Sequence, residues 1–206
     1  MDAAISILSI AGAVTLGAMS PGPSFVMVAR TAVASSRADG LAAALGMGVG
    51  GVLFACAALL GLHMILTAVP WLYLGLKLVG GAYLIYLGCM IWRGARRPLQ
   101  IGEGVPSTSH RSFLLGLLTQ VSNPKTAVVY ASIFVALLPQ EVPLAAMLVL
   151  PVAIFVIEAG WYSIVALALS APSPRAAYLR WKVWVDRAAG SAMGLLGIKL
   201  IATARS

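Results

Sequence analysis

Long apolar runs alternate with short polar breaks along this chain, and most of the runs match the thickness of a bilayer. They extend over about Ala4–Val33, Leu41–Val69, Leu72–Trp92, Ser112–Leu138, Leu144–Leu169 and Ala188–Ala204. A transmembrane helix needs roughly 20 predominantly apolar residues, so the pattern predicts six spans, the sixth being the shortest. Two of the runs are interrupted inside. The first is broken by Ser20-Pro21-Gly22-Pro23, and the fourth by Gln120-Val121-Ser122-Asn123-Pro124-Lys125. Hydrocarbon tolerates unpaired backbone groups only where they are buried in protein or line a protected cavity. Two broken helices therefore predict one shared cavity.

Composition narrows the class further. The chain is 61% hydrophobic and only 10% charged, against roughly 25% charged residues in soluble domains. Its 206 residues are used up by the spans and their connections, which predicts a single transmembrane domain over residues 1–206. Cys56 and Cys89 both lie within apolar runs, so packing is expected of them and not a disulfide framework or a metal-thiolate cluster. His63 and His110 are too far apart in the sequence to suggest a zinc site, and no metal or cofactor is expected.

The net charge of +8 would suit nucleic acid if it were gathered on a soluble face, but its placement argues against that partner. Arg30, near the end of the first run, and Arg37, Arg93, Arg96, Arg97, Arg111, Arg175, Arg180, Lys182 and Arg187 fall at or after the ends of the first, third and fifth runs, and the connections after the second and fourth hold no Lys or Arg. The positive-inside rule then puts these basic connections in the cytoplasm, next to anionic lipid, and both termini on the other side. The stretch from Pro172 to Arg187 is expected to be one such loop. The N-terminal run carries Asp2 in place of a basic leader and resumes beyond Pro23, so it is expected to be a retained first span.

The echo between the two interruptions suggests internal symmetry. Gly22-Pro23 aligns with Asn123-Pro124, which pairs the first run with the fourth. Three spans per half force the halves into opposite orientations. The expected architecture is an all-α polytopic membrane protein of six transmembrane helices in two inverted three-helix repeats, with the first and fourth helices broken. Repeat one covers about 1–92, a cytoplasmic loop about 93–111, and repeat two about 112–206. Interrupted helices at matching positions of two halves are a pointer to a transporter's binding site.

Several residues at the breaks suit an anionic group. Proline is tolerated at the first position of a helix, and Ser and Asn cap helices well, so Ser20 and Asn123 are expected to start new half-helices. Such ends aim N–H groups and partial positive charge into the membrane, and Lys125 adds a full charge. Glu158, in the fifth run, is an expensive residue to keep within a span, at roughly 2.5–3.5 kcal/mol for an ionised side chain at a helix centre. It is expected to pair with Lys125, bind a substrate ammonium or carry a proton, and a structural ion pair with Lys125 is the plainer alternative. Trp161 and Tyr162 either line the cavity or pack, and the Gln120 amide either reaches the cavity or bonds between helices. Lys77 and Lys199 lie near span ends, where snorkelling is expected. Gly46 and Gly50 form a small-xxx-small pair for close helix approach, and glycine-lined faces also permit a homodimer.

Taken together, Ser20-Pro21-Gly22-Pro23, Leu76-Lys77 followed by Gly80 to Gly88, Gln120 to Lys125, and an acid followed by Trp161 resemble the LysE/RhtB family of amino-acid exporters along the whole chain. The resemblance implies a multi-pass protein of the bacterial inner membrane that exports amino acids or close derivatives by proton antiport. It places both proline motifs at the transport site. With the polar and aromatic residues read above, the expected substrate-binding residues are Ser20, Pro21, Gly22, Pro23, Gln120, Asn123, Pro124, Lys125, Glu158 and Trp161, with Glu158 also expected to couple to protons. A membrane-embedded enzyme would need a nucleophile or metal constellation that the spans do not offer. A small cation or metal channel would favour rings of acidic residues, and only Glu158 sits in mid-span.

Overall fold

The computed structural model describes residues 3–20, 22–68, 70–97, 108–139, 142–170 and 172–203, and among them the regular structure is helical. In order the helices are α1 (Ala3–Met19), α2 (Pro23–Ala34), α3 (Arg37–Ala68), α4 (Pro70–Gly94), α5 (Ser109–Val121), α6 (Pro124–Leu137), α7 (Leu144–Leu169) and α8 (Pro172–Ala202).

Both interruptions fall at the polar patches. α1 and α2 are bent by 58° relative to each other, and α5 gives way to α6 at Ser122-Asn123. Proline opens the second helix of each pair, as Pro23 and Pro124, where its missing N–H costs no intrahelical bond. Asn123 caps α6 by accepting a hydrogen bond from the Lys125 N–H at 3.0 Å. The first break is built differently from expectation. α2 starts after Gly22, which has an extended backbone and no side-chain cap, while the Ser20 hydroxyl is buried without a partner. Ser20 therefore does not cap this helix.

A second correction concerns Pro172 to Arg187, which is the first half of the continuous helix α8 and not a loop. Three of its charges, on Lys182, Asp186 and Arg187, have partners that suit a helix. Lys182 and Asp186, one turn apart, form an ion pair at 2.7 Å, and the Arg187 guanidinium lies over the rings of Trp92 and Trp184 at 5.4 and 5.9 Å. By length and apolarity, the described residues hold two helices able to cross a membrane, Arg37–Gly61 and Leu144–Leu169, or three if the bent pair α1–α2 is one span. Six were expected. α5 and α6 are each too short alone, and the first half of α8 carries charge.

Small residues bring the helices together. α3 packs against α2, α5, α6 and α7. A Cβ on Gly46 would collide with the Phe113 carbonyl oxygen of α5, a Cβ on Gly116 would collide with the Ala43 carbonyl oxygen of α3, and one on Gly50 would sit 2.7 Å from the Gln120 Cβ. α4 and α8 run antiparallel through a second glycine seam, with Gly88 against Gly190 and Gly81 against Gly197. At one end of this pair Lys182 Nζ donates to the Ala95 carbonyl at 3.1 Å, and at the other Lys77 Nζ donates to the Thr203 carbonyl at 3.0 Å. Each lysine thus satisfies a carbonyl at the C-terminal end of the other helix.

The outer surface exposes many large apolar side chains. α7 exposes Leu144, Leu148, Val152 and Val156 along one stripe and buries Leu150, Ile154, Glu158 and Tyr162 on the other side. A helix that is hydrophobic all round fits a membrane. Inside, one cluster centres on Ile10, Leu84, Ile133, Phe134, Leu150 and Met193, and a second on Phe25, Val28, Met47, Tyr162 and Ala166.

Candidate functional site

The first turn of α2 lies against the α5–α6 junction, so the two breaks meet. Ser24 Oγ donates to Gln120 Oε1 at 2.8 Å, and Asn123 Nδ2 donates to Ser24 Oγ at 3.1 Å. All three side chains are buried, and their mutual bonds meet the demand that buried polar groups be paired. Lys125 Nζ reaches back across the junction to the Ser20 carbonyl oxygen at 3.2 Å. One break supplies a carbonyl released from the helical ladder, and the other supplies the ammonium that binds it.

Glu158 enters from α7 and is 2% exposed. Its Oε1 accepts from the Tyr130 hydroxyl at 2.7 Å, while Oε2 is buried without a partner. Gly51 makes room for this pair, since a Cβ there would lie 3.0 Å from Glu158 Cγ and 3.1 Å from the Tyr130 hydroxyl oxygen. The direct ion pair between Lys125 and Glu158, one of the alternatives open from the sequence, is not formed. Lys125 is one residue into α6 and turns toward the α1–α2 break, whereas Tyr130 engages Glu158 about 7.5 Å further along the helix axis, at 1.5 Å per residue.

Ser20, Gly22, Gln120, Asn123, Lys125 and Glu158 nevertheless line one cavity. Its volume of about 30 Å³ holds a water and no amino acid, so this conformation is closed around its polar groups. A vestibule of about 320 Å³ adjoins it, sharing Ser20, Gly22 and Lys125 and adding Pro23, Arg97, Lys182 and Asp186.

Not every residue singled out from the sequence lies in this cavity. Pro23 lines the vestibule, Pro124 is exposed at the start of α6, and Pro21 lies outside the described residues. Trp161 packs against the cluster around Phe25, and its neighbour Tyr162 lines the cavity instead. Ser24, Thr126 and Tyr130, none of them singled out from the sequence, also line it. Ser24 follows directly on Pro23, in the turn where a new helix exposes its N–H groups. Tyr130 is an aromatic with a polar tip inside an apolar run, a combination that calls for a buried partner. Among the described residues no group of three His, Cys, Asp or Glu is placed to hold a metal ion.

Comparison with known proteins bears on the whole chain. The family model for LysE type translocators matches residues 15–204. The chain is 35% identical over 198 residues to the threonine efflux protein of Escherichia coli strain K12, covering 94% of this chain and 96% of that protein. It is 36% identical over 187 residues to the threonine efflux protein of Salmonella typhi, covering 89% and 91%. A third relative, the uncharacterized membrane protein YahN of Escherichia coli strain K12, is 28% identical over 98% of this chain and 91% of its own length. No solved structure matches. With a family match over most of its length and relatives aligned nearly end to end, this chain belongs to the LysE type translocator family, whose members are membrane transporters and not enzymes.

Proposed function

We propose that this chain exports small zwitterionic amino acids across the bacterial inner membrane, by proton antiport with alternating access. The observation that carries the reading is the cavity between the two helix breaks, where Lys125 and Glu158 supply opposite charges to one site. An amino acid needs such a pair. Its carboxylate would replace the Ser20 carbonyl as the partner of Lys125 and face the N-terminal turn of α6, where first-turn N–H groups have no intrahelical acceptor. Its ammonium would take the unpartnered Oε2 of Glu158. The kinship with threonine efflux proteins makes threonine the first substrate to try.

Six spans arranged as inverted repeats fit the packing of the helices. Gly81 and Gly88 in α4 and Gly190 and Gly197 in α8 share a spacing of seven residues, and they meet in antiparallel register. The lysines that cap α4 and α8 at opposite ends follow the same two-fold pattern. Rocking one half against the other would open the closed cavity alternately to each side. The basic connections favour a vestibule on the cytoplasmic face and both termini in the periplasm.

Glu158 is the proton carrier in this scheme, because it is the buried carboxyl that faces the cavity. Purified protein in proteoliposomes should exchange labelled threonine in counterflow and should accumulate it when a pH gradient is imposed. Glu158→Gln should keep some counterflow and lose the gradient-driven accumulation. Accumulation at the wild-type rate would exclude Glu158 as the carrier. Absence of counterflow with every amino acid tried in the wild-type protein would end the exporter reading.

A further inference from the structure

The vestibule holds a second constellation with opposite charges, and the transport scheme above does not use it. Lys182 and Asp186 are buried where α8 passes the end of α4. Lys182 Nζ is satisfied twice, by the Ala95 carbonyl at 3.1 Å and by Asp186 Oδ2 at 2.7 Å. The other carboxylate oxygen, Asp186 Oδ1, is buried without a partner. Anchoring the lysine uses only one of the two oxygens, so the structural role leaves half the carboxylate unexplained. A buried carboxylate oxygen with nothing to bind is costly to keep, and its residue, Asp186, lines a chamber of about 320 Å³, within the range of small-molecule sites. Lys125 and the exposed Arg97 line the same chamber.

We propose that this vestibule is a loading site, in which Asp186 Oδ1 takes the α-ammonium of an amino acid while Arg97 and Lys125 compete for its α-carboxylate. Lys125 borders both the vestibule and the inner cavity. A carboxylate can therefore stay bound to one side chain as the substrate moves inward, while the ammonium passes from Asp186 to Glu158. The vestibule has three cationic groups and one anionic group, so an organic cation without a carboxylate is repelled and a zwitterion is accepted. This inference rests on the exporter reading and adds to it a first station with its own ligands.

The test separates the two faces of the protein. Uptake of labelled threonine into everted membrane vesicles presents the vestibule face, and uptake into right-side-out vesicles presents the other. Asp186→Asn keeps an oxygen for Lys182 and removes the charge. It should raise the KM at the vestibule face about tenfold or more, leave the maximal rate within about twofold, and leave the KM at the opposite face unchanged, as expected when only ground-state binding at one station is lost. Asp186→Glu should recover part of the loss. An unchanged KM, an equal change at both faces, or a fall in maximal rate alone would overturn the loading site while leaving the exporter reading intact. Should Asp186→Asn fail to accumulate in the membrane, Met90→Trp decides the matter, since Met90 lines the vestibule and is half exposed. Narrowing the chamber there should raise the KM at the same face only, and an unaltered KM would overturn the proposal. If wild-type vesicles move no threonine or other amino acid, the exporter reading falls and the loading site falls with it.

Discussion

Replacing Gly46 by alanine adds one methyl group where α3 and α5 touch backbone to backbone. The new Cβ would collide with the Phe113 carbonyl oxygen and lie 2.8 Å from the Leu117 nitrogen. Neither atom can rotate away, because both belong to the hydrogen-bonded ladder of α5. The two helices must part along a seam that also holds Gly50 against Gln120 and Gly116 against Ala43. Overpacking of this kind costs typically about 1–3 kcal/mol, and a clash with rigid backbone belongs at the upper end. Helix propensity works in the opposite direction and favours alanine over glycine by roughly 0.8–1.0 kcal/mol. The balance is a net loss of about 2 kcal/mol, a factor of about 30 in the ratio of folded to unfolded protein. Gly12, where an added Cβ meets nothing within 4 Å, gives the matched control, with the propensity gain and no clash. Unfolding of the purified proteins by rising SDS fraction in mixed micelles, followed by circular dichroism, reads both. Gly46→Ala should unfold at a clearly lower SDS fraction than wild type, and Gly12→Ala at the same or a higher one. If Gly46→Ala matches or exceeds Gly12→Ala in stability, α3 and α5 do not approach as described.

Two further substitutions probe the junction itself. Asn123→Ala removes both the cap on α6 and the bond to Ser24, and it should cost about 1–2 kcal/mol in the same unfolding assay, since loss of a cap alone is worth about 1 kcal/mol; a change confined to a few tenths would show that α6 does not depend on its cap. Tyr130→Phe deprives Glu158 Oε1 of its 2.7 Å donor. Hydrogen bonds to charged groups contribute about 1.5–3 kcal/mol, so gradient-driven threonine accumulation should slow at least tenfold with counterflow less affected. Equal rates in Tyr130→Phe and wild-type proteoliposomes would remove Tyr130 from the coupling machinery.

Some of this arrangement can be read from the sequence, and the reason differs from residue to residue. Proline and asparagine within an apolar run act locally, so the break before α6 and its Asn123 cap follow directly from residue chemistry. Leu144–Leu169 is bounded by Pro143 and Ser170 and forms a helix over the expected residues. Rotation about a helix axis is harder to see. α7 is apolar all round, so nothing in its pattern says whether Trp161 or Tyr162, about 100° apart at 3.6 residues per turn, faces the cavity. Tertiary partners are hidden as well. The stretch before Ala188 reads as a loop because its charges appear unpaired in sequence, and the structure pairs Lys182 with Asp186 and stacks Arg187 on Trp92. Lys125 and Glu158 look like an ion pair for the converse reason. Each finds a nearer partner in Ser20 and Tyr130. The repeated glycine spacing in α4 and α8 was visible in the sequence, but its meaning depends on knowing that the two helices touch.

Two broken helices enclosing one amino-acid site are the core of the proposed mechanism, and the most direct measurement is an experimental structure of the full chain with threonine bound. It should show the ligand between Gly22 and Asn123, with its carboxylate on Lys125 Nζ in place of the Ser20 carbonyl and its ammonium on Glu158. Threonine bound away from both breaks, with the Lys125 to Ser20 contact still in place, would contradict it.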